Sequence, residues 1–156
     1  ILSETPMLKY PEKLADLGED FSTITDLNER AGALIEIADR FDEVRVPASV
    51  ATKPYPEENH VTYCESDAYV WALDNPDGSL KFYFDVLNPQ GLSAMAIAVV
   101  LDETLSGAPL EQVVTIDNDI VFKLFGKEIS MGKGQGLMGM IAMVRGEAQR
   151  RLRSGA

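Results

Sequence analysis

The sequence predicts one α+β domain in which helices pack on one face of a small antiparallel sheet. Three observations carry this. Apolar residues recur at helical spacing early and late in the chain, a middle stretch alternates apolar with polar residues, and Asn75-Pro76-Asp77-Gly78 supplies a turn between two short runs. Helices, then strands, then helices is the order of segregated layers around one core. A length of 156 residues with 46% hydrophobic content is enough for that core without disulfides or metals.

Taken in order, Pro11 to Phe21 reads as a short helix with proline at its opening and Leu14, Leu17 and Phe21 along one side. Asp26 with Glu29 forms a capping box, and Leu27, Ala31, Leu34, Ile35, Ala38 and Phe41 follow at helical spacing, the strongest helix signal in the first half. From Asp42 to Asn59 the periodicity stops and Pro47, Pro54 and Pro56 accumulate, which marks a surface connector. Three strands are expected at His60 to Tyr63, Asp67 to Leu73 and Leu80 to Val86. The last alternates Leu80, Phe82 and Phe84 with Lys81, Tyr83 and Asp85, the pattern of a sheet buried on one face. Asn88-Pro89 reads as a helix start, with Leu92, Met95, Ala96 and Val99 along the face that follows and Gly107 at its end. Pro109 to Val114 and Asp119 to Phe125 are two shorter helices, the second closed by Gly126. A final helix from about Gly134 to Arg151 carries the stripe Leu137, Met140, Ile141, Val144 and Ala148.

The formal charge is −11 and the sequence pI near 4.4. Such a chain repels a phosphate backbone, which disfavours nucleic acid as a partner class and favours docking on a basic protein patch. The one basic cluster, Arg150, Arg151 and Arg153, complements the dipole at a helix end. No run approaches the roughly 18 to 20 apolar residues of a membrane span, and Ile1 to Lys9 has no basic-then-apolar leader pattern. A single cysteine and a single histidine exclude an internal disulfide and argue against metal sites built on soft ligands. That usage suits a reducing compartment such as the cytoplasm; an opening Ile in place of Met leaves room for a removed transit peptide and a plastid or other organelle.

Cys64 lies between an expected strand and the polar stretch Glu65, Ser66, Asp67, which puts the thiol at a turn where a partner can reach it. Sulfur transfer suits such a thiol, because displacement at a persulfide depends on access and orientation as much as on ionisation. His60 is four residues away, roughly 13 Å along an extended strand, too far for a Cys–His dyad unless the chain bends. Gly132-Lys133-Gly134-Gln135-Gly136 resembles a phosphate cradle ahead of a helix, but its spacing does not fit a P-loop. It reads as a flexible helix entry or as a cationic end, with Lys133 steadying the sulfur of Cys64.

Glu57-Glu58-Asn59-His60-Val61-Thr62-Tyr63-Cys64-Glu65-Ser66 resembles the segment around the acceptor cysteine of the SufE family, the sulfur-accepting partners of SufS-type cysteine desulfurases. Tyr69, Val70 and Trp71 follow as aromatic and β-branched residues do there. Asp85 with Gly91 and Leu92 is similar to the family's strand end and next helix, and Lys133, Gln135, Gly136, Leu137 and Met140 are similar to the Arg-x-Gln-Gly-Leu opening of its last helix. The resemblance implies a curved three-stranded antiparallel sheet covered by helices, with the cysteine on an exposed loop. It also implies the reaction: a desulfurase carrying pyridoxal phosphate makes a persulfide, Cys64 accepts the sulfur, and an iron–sulfur scaffold receives it, the carrier holding no cofactor. Tyr63, Glu65, Ser66, Asp67 and Asp85 would then face the partner, with Lys133 as cationic support and His60 as a modulator. The chain departs from the family pattern at Tyr63, where Gly is usual, at Asp67, where Gln is common, and at Lys133, where Arg is common.

Two other readings compete. One is a docking or regulatory module of the same fold with an unreactive Cys64, which Tyr63 favours. The other is a cysteine hydrolase, disfavoured by the placement of His60 and the lack of a nucleophile elbow. Assembly as a homodimer is left open by the sequence.

Overall fold

The computed structural model describes residues 10–155; Ile1–Lys9, read above for a leader pattern, lie outside the described residues. Helix α1 (Glu12–Ser22) starts behind Pro11 and buries Leu14 and Phe21. Helix α2 (Leu27–Ala38) opens at Asp26, whose carboxylate accepts the Asn28 N–H. From α2 the Arg30 guanidinium donates to the carbonyls of Phe21, Ile24, Lys123 and Leu124, pinning the carboxyl ends of two other helices. The stripe divides: Ala38 and Phe41 are buried, with Ile37 beside them, and Leu34 is half-buried against the core, while Leu27 is 78% and Ile35 48% exposed.

The sheet has two strands among the described residues, not three. β1 (Ala68–Asp74) and β2 (Leu80–Val86) pair antiparallel from Ala68 opposite Val86 to Asp74 opposite Leu80. The Asn75–Ser79 turn is closed by Asp77, which accepts from the Ser79 N–H and hydroxyl. The expected first strand contracts to one bridge, His60 to Tyr69, with the Val61 N–H donating to the Ala68 carbonyl. The physical reason is local. Tyr63 and Asp67 adopt φ of 64° and 51°, so the chain reverses within a few residues and pairing cannot propagate. Val44 to Val46 cover the other edge at Phe84.

The inner face of the sheet (Val70, Phe82, Phe84) packs on α3 (Leu92–Leu105) and α6 (Met131–Ser154). Helix α3 is buried on almost every side, from Ala94 to Leu105, because α1, α2, β2 and α6 surround it. It begins three residues after the expected Asn88-Pro89 start: Asn88 accepts the Gln90 and Gly91 N–H groups in a separate turn, and Gly91 occupies the cap position. Two short helices, α4 (Leu110–Val113) and α5 (Asp119–Phe125), lead to α6. Among the described residues no helix is long and apolar enough to cross a membrane.

The outer face of the sheet is covered by the connector before Asn59, through Tyr55. Its ring meets Tyr69 and Trp71 at centroid distances of 5.0 and 4.8 Å, and its hydroxyl donates to Asp85 at 2.6 Å. Burial, then the hydrogen bond to Asp85, pushes the Tyr55 phenol up to about 12. The neutral phenol is therefore favoured by the fold, so this contribution is complete below about pH 10 and is lost as pH rises through 12. Tyr55→Phe should cost about 1 to 2 kcal/mol in urea unfolding at neutral pH. The variant should also lose the wild type's decline in stability above pH 10 that is assigned to this phenol.

Candidate functional site

Cys64 sits on the turn between the His60 bridge and β1. The turn closes by donation from the Asp67 N–H to the Cys64 carbonyl at 3.2 Å, and Asn88 and Leu87 donate N–H groups to the carbonyls of Ser66 and Asp67, each at 3.1 Å. The thiol is half-buried against the core and lines a cavity of about 360 Å³. The walls are Leu34 and Ile35 of α2, Leu92 of α3, and Gly136 and Leu137 of α6; Lys133 and Ser66 add polar groups. Ala31, Leu34 and Ile35 of the α2 stripe therefore line the space beside the thiol.

Close approach makes this geometry. A Cβ on Gly136 would lie 3.2 Å from the Cys64 Cα and 3.3 Å from its Sγ. One on Gly139 would lie 2.9 Å from Val61 Cγ1, one on Gly132 3.2 Å from Glu65 Oε1, and one on Gly91 2.8 Å from Ser66 Cβ and Oγ. Gly132, Gly136 and Gly139 share one face of α6. This differs from the expectation of a flexible helix entry. The helix begins at Met131, capped by the Ser130 hydroxyl, which accepts the Lys133 N–H, and the Gly134 N–H is bound to the Ser130 carbonyl, so the glycine run is not a loop of open N–H groups.

The structure brings Cys64, Glu65, Ser66 and Lys133 to one cavity. Tyr63 projects from the turn, 79% exposed. His60 is turned to carboxylates: Nδ1 is 3.2 Å from Glu57 Oε1 and Nε2 3.3 Å from Asp67 Oδ1, with its ring against Tyr69. The chain's one histidine is thus engaged away from a Cys–His dyad. Asp85, expected to face a partner, is only 2% exposed. It accepts from Arg45 and Tyr55 and from the Val86 N–H, and so ties the connector to the sheet. Sequence reasoning noted Gly91, Gly132 and Gly136 on other grounds and missed their close approach to the Cys64 turn; the 132, 136, 139 spacing was the available signal on α6.

An α+β domain that holds its single thiol on a turn at the rim of a cavity is the class these features define. The family model for SufE, the Fe-S metabolism associated domain, matches residues 15–148, and the chain belongs to that family. The fold is similar to the solution structure of a hypothetical protein from Thermus thermophilus, with a TM-score of 0.70 and 23% identity over 92% of this chain and 98% of that one. No curated protein is similar to it in sequence at a significant level.

Gly136→Ala should force the Cys64 turn outward. We expect faster alkylation of Cys64 and a loss of about 1 to 3 kcal/mol from overpacking. Gly146→Ala on the same helix, where a Cβ meets nothing within 4 Å, should instead stabilise by roughly 0.5 to 1 kcal/mol and leave the alkylation rate unchanged.

Proposed function

We propose that this protein is a sulfur carrier: Cys64 accepts the terminal sulfur of a persulfide formed on a SufS-type cysteine desulfurase, stimulates that enzyme by removing its product, and hands the sulfur to an iron–sulfur scaffold. The observation that carries this reading is the position of the chain's one thiol, on a turn at the mouth of a cavity, in a member of the SufE family. Pyridoxal phosphate belongs to the desulfurase.

The transfer balances without an added oxidant. The Cys64 thiolate attacks the outer sulfur of the desulfurase persulfide, a new S–S bond forms, the old one breaks, and its electron pair leaves on the desulfurase cysteine as a thiolate. A second displacement by an acceptor thiolate restores Cys64. This chain supplies position: the backbone bonds to Ser66 and Asp67 fix the turn, and the exposed Tyr63, Ile35 and Leu92 offer apolar area around the thiol. The net charge of −11 favours encounter with a basic partner surface.

Incubation with a desulfurase and cysteine should add about 32 Da to the intact protein, removable by reductant and absent in Cys64→Ser. The same substitution should abolish delivery of sulfur to a scaffold. A wild-type protein that stimulates its desulfurase without acquiring mass would instead be the docking module with an unreactive thiol.

A further inference from the structure

Tyr63 immediately precedes the thiol, and the free chain makes no use of its side chain. Among the described residues its ring meets no other ring and its hydroxyl makes no hydrogen bond. Its backbone stands at φ 64°, a conformation in which glycine is unstrained and a tyrosine is not. The ring has company. Ile35 and Leu92 on the cavity walls are exposed, as is Met131 beside Gly132 of the same lining, so α2, the turn, α3 and α6 each bring one large apolar group to the sulfur.

The turn side of this rim is acidic. From Pro54 to Leu80 the chain has no lysine or arginine, and Glu57, Glu58, Glu65 and Asp67 lie within a few residues of Tyr63. Glu65 lines the cavity with Cys64, and Lys133, on the α6 wall, is the one cation among the lining residues. A tyrosine ring has two torsions to fix and a large area to bury, which suits it to fill an apolar recess in another protein. Carboxylates beside it suit arginine or lysine at the edge of that recess, where a cation also meets the ring face favourably.

We propose that Tyr63 anchors the partner: its ring enters an apolar recess beside the donor cysteine of the desulfurase, and basic side chains at the edge of that recess meet Glu65. Naming the desulfurase as the occupant rests on the sulfur-carrier reading, but the anchor itself is read by binding, which needs no sulfur transfer.

The test titrates the full chain into the SufS-type desulfurase of the same organism, loaded with pyridoxal phosphate and without cysteine, by calorimetry. Tyr63→Asn, whose new residue tolerates a positive φ, should raise Kd about tenfold or more, the loss of a hot-spot side chain, with no fall in the urea midpoint of the free chain. Should that midpoint fall, Tyr63→Gly, unstrained at this φ, repeats the comparison. Tyr63→Phe, which keeps the ring, should bind within about twofold of wild type. Glu65→Gln should raise Kd about twofold to fivefold, the scale of an exposed ion pair. Glu111→Gln, in a separate cavity with Asp77 and Gly78 of the hairpin turn, should leave Kd unchanged.

Wild-type Kd in both Tyr63→Asn and Tyr63→Gly, or a loss in Tyr63→Phe equal to that in Tyr63→Asn, overturns the anchor. Equal effects of Glu65→Gln and Glu111→Gln overturn its basic edge. A wild-type dimer that is lost in Tyr63→Asn gives the ring to a second copy of this chain and overturns it also. A gain of about 32 Da by the wild type alongside an unchanged Kd in Tyr63→Asn sinks the anchor alone, and a weakened Kd without that gain sinks only the carrier reading.

Discussion

The turn that bears Cys64 can lie where it does only because α6 presents no side chain to it. Backbone and sulfur come within van der Waals distance of Gly136, Val61 within that of Gly139, and Glu65 within that of Gly132, while Gly91 opens the opposite wall to Ser66. At Gly136 the obstacle to a Cβ is backbone, so the approach is a property of the glycine and not of a flexible neighbour. The helix bears a cost for this, roughly 0.5 to 1 kcal/mol for each interior glycine relative to alanine. Burial of Leu137, Met140, Ile141, Val144 and Ala148 on its core side offsets that cost, at about 1.5 to 3 kcal/mol for each large side chain. A helix with three glycines on one face holds together because its other face is core.

The same close approach explains the conformations within the turn. Between the bridge at His60 and the start of β1 the chain must reverse while keeping Val61 against Gly139 and Cys64 against Gly136. Tyr63 and Asp67 absorb the reversal at positive φ, and four backbone hydrogen bonds, to the Cys64, Ser66, Asp67 and Ala68 carbonyls, hold it. At Tyr63, where a family member would usually carry glycine, this chain accepts backbone strain and gains an aromatic ring 79% exposed beside the thiol. Strain and exposure thus coincide at the residue next to the thiol, and neither adds to the stability of the free protein.

Much of the fold was legible because its helices and hairpin repeat local patterns. The Asn75–Gly78 turn, the register-bearing alternation of β2 and the Asp119–Phe125 helix closed by Gly126 all stand as read. The misreadings share a cause, which is that sequence periodicity does not say what an element faces. The α2 stripe has one spacing but two destinations, Ala38 and Phe41 entering the core and Ala31, Leu34 and Ile35 lining the cavity beside Cys64. His60 to Tyr63 has the composition of a strand, but the chain reverses at positive φ at Tyr63 and Asp67 and pairing stops at one bridge. The Gly132–Gly136 run looks like a loop because glycine favours loops, yet Ser130 caps a helix directly before it. Asp85 sits in an alternating strand where a polar residue reads as solvent-facing, and only the long connector returning through Tyr55 buries it. Cys64 itself was legible from its polar neighbours and its family segment.

Two of these corrections lead to the thiol: the outward part of the α2 stripe and the glycine face of α6 both line the cavity beside Cys64. A domain selected for stability alone would bury Ile35 and Leu92, and in the sulfur-carrier reading their exposure beside the thiol is the area on which a partner would seat. In the sulfur-carrier reading, the acidic net charge then governs how fast the partner arrives, and the apolar rim governs how well it seats. The free chain need only keep one sulfur atom at the border between core and solvent, which is the position the glycine face of α6 creates.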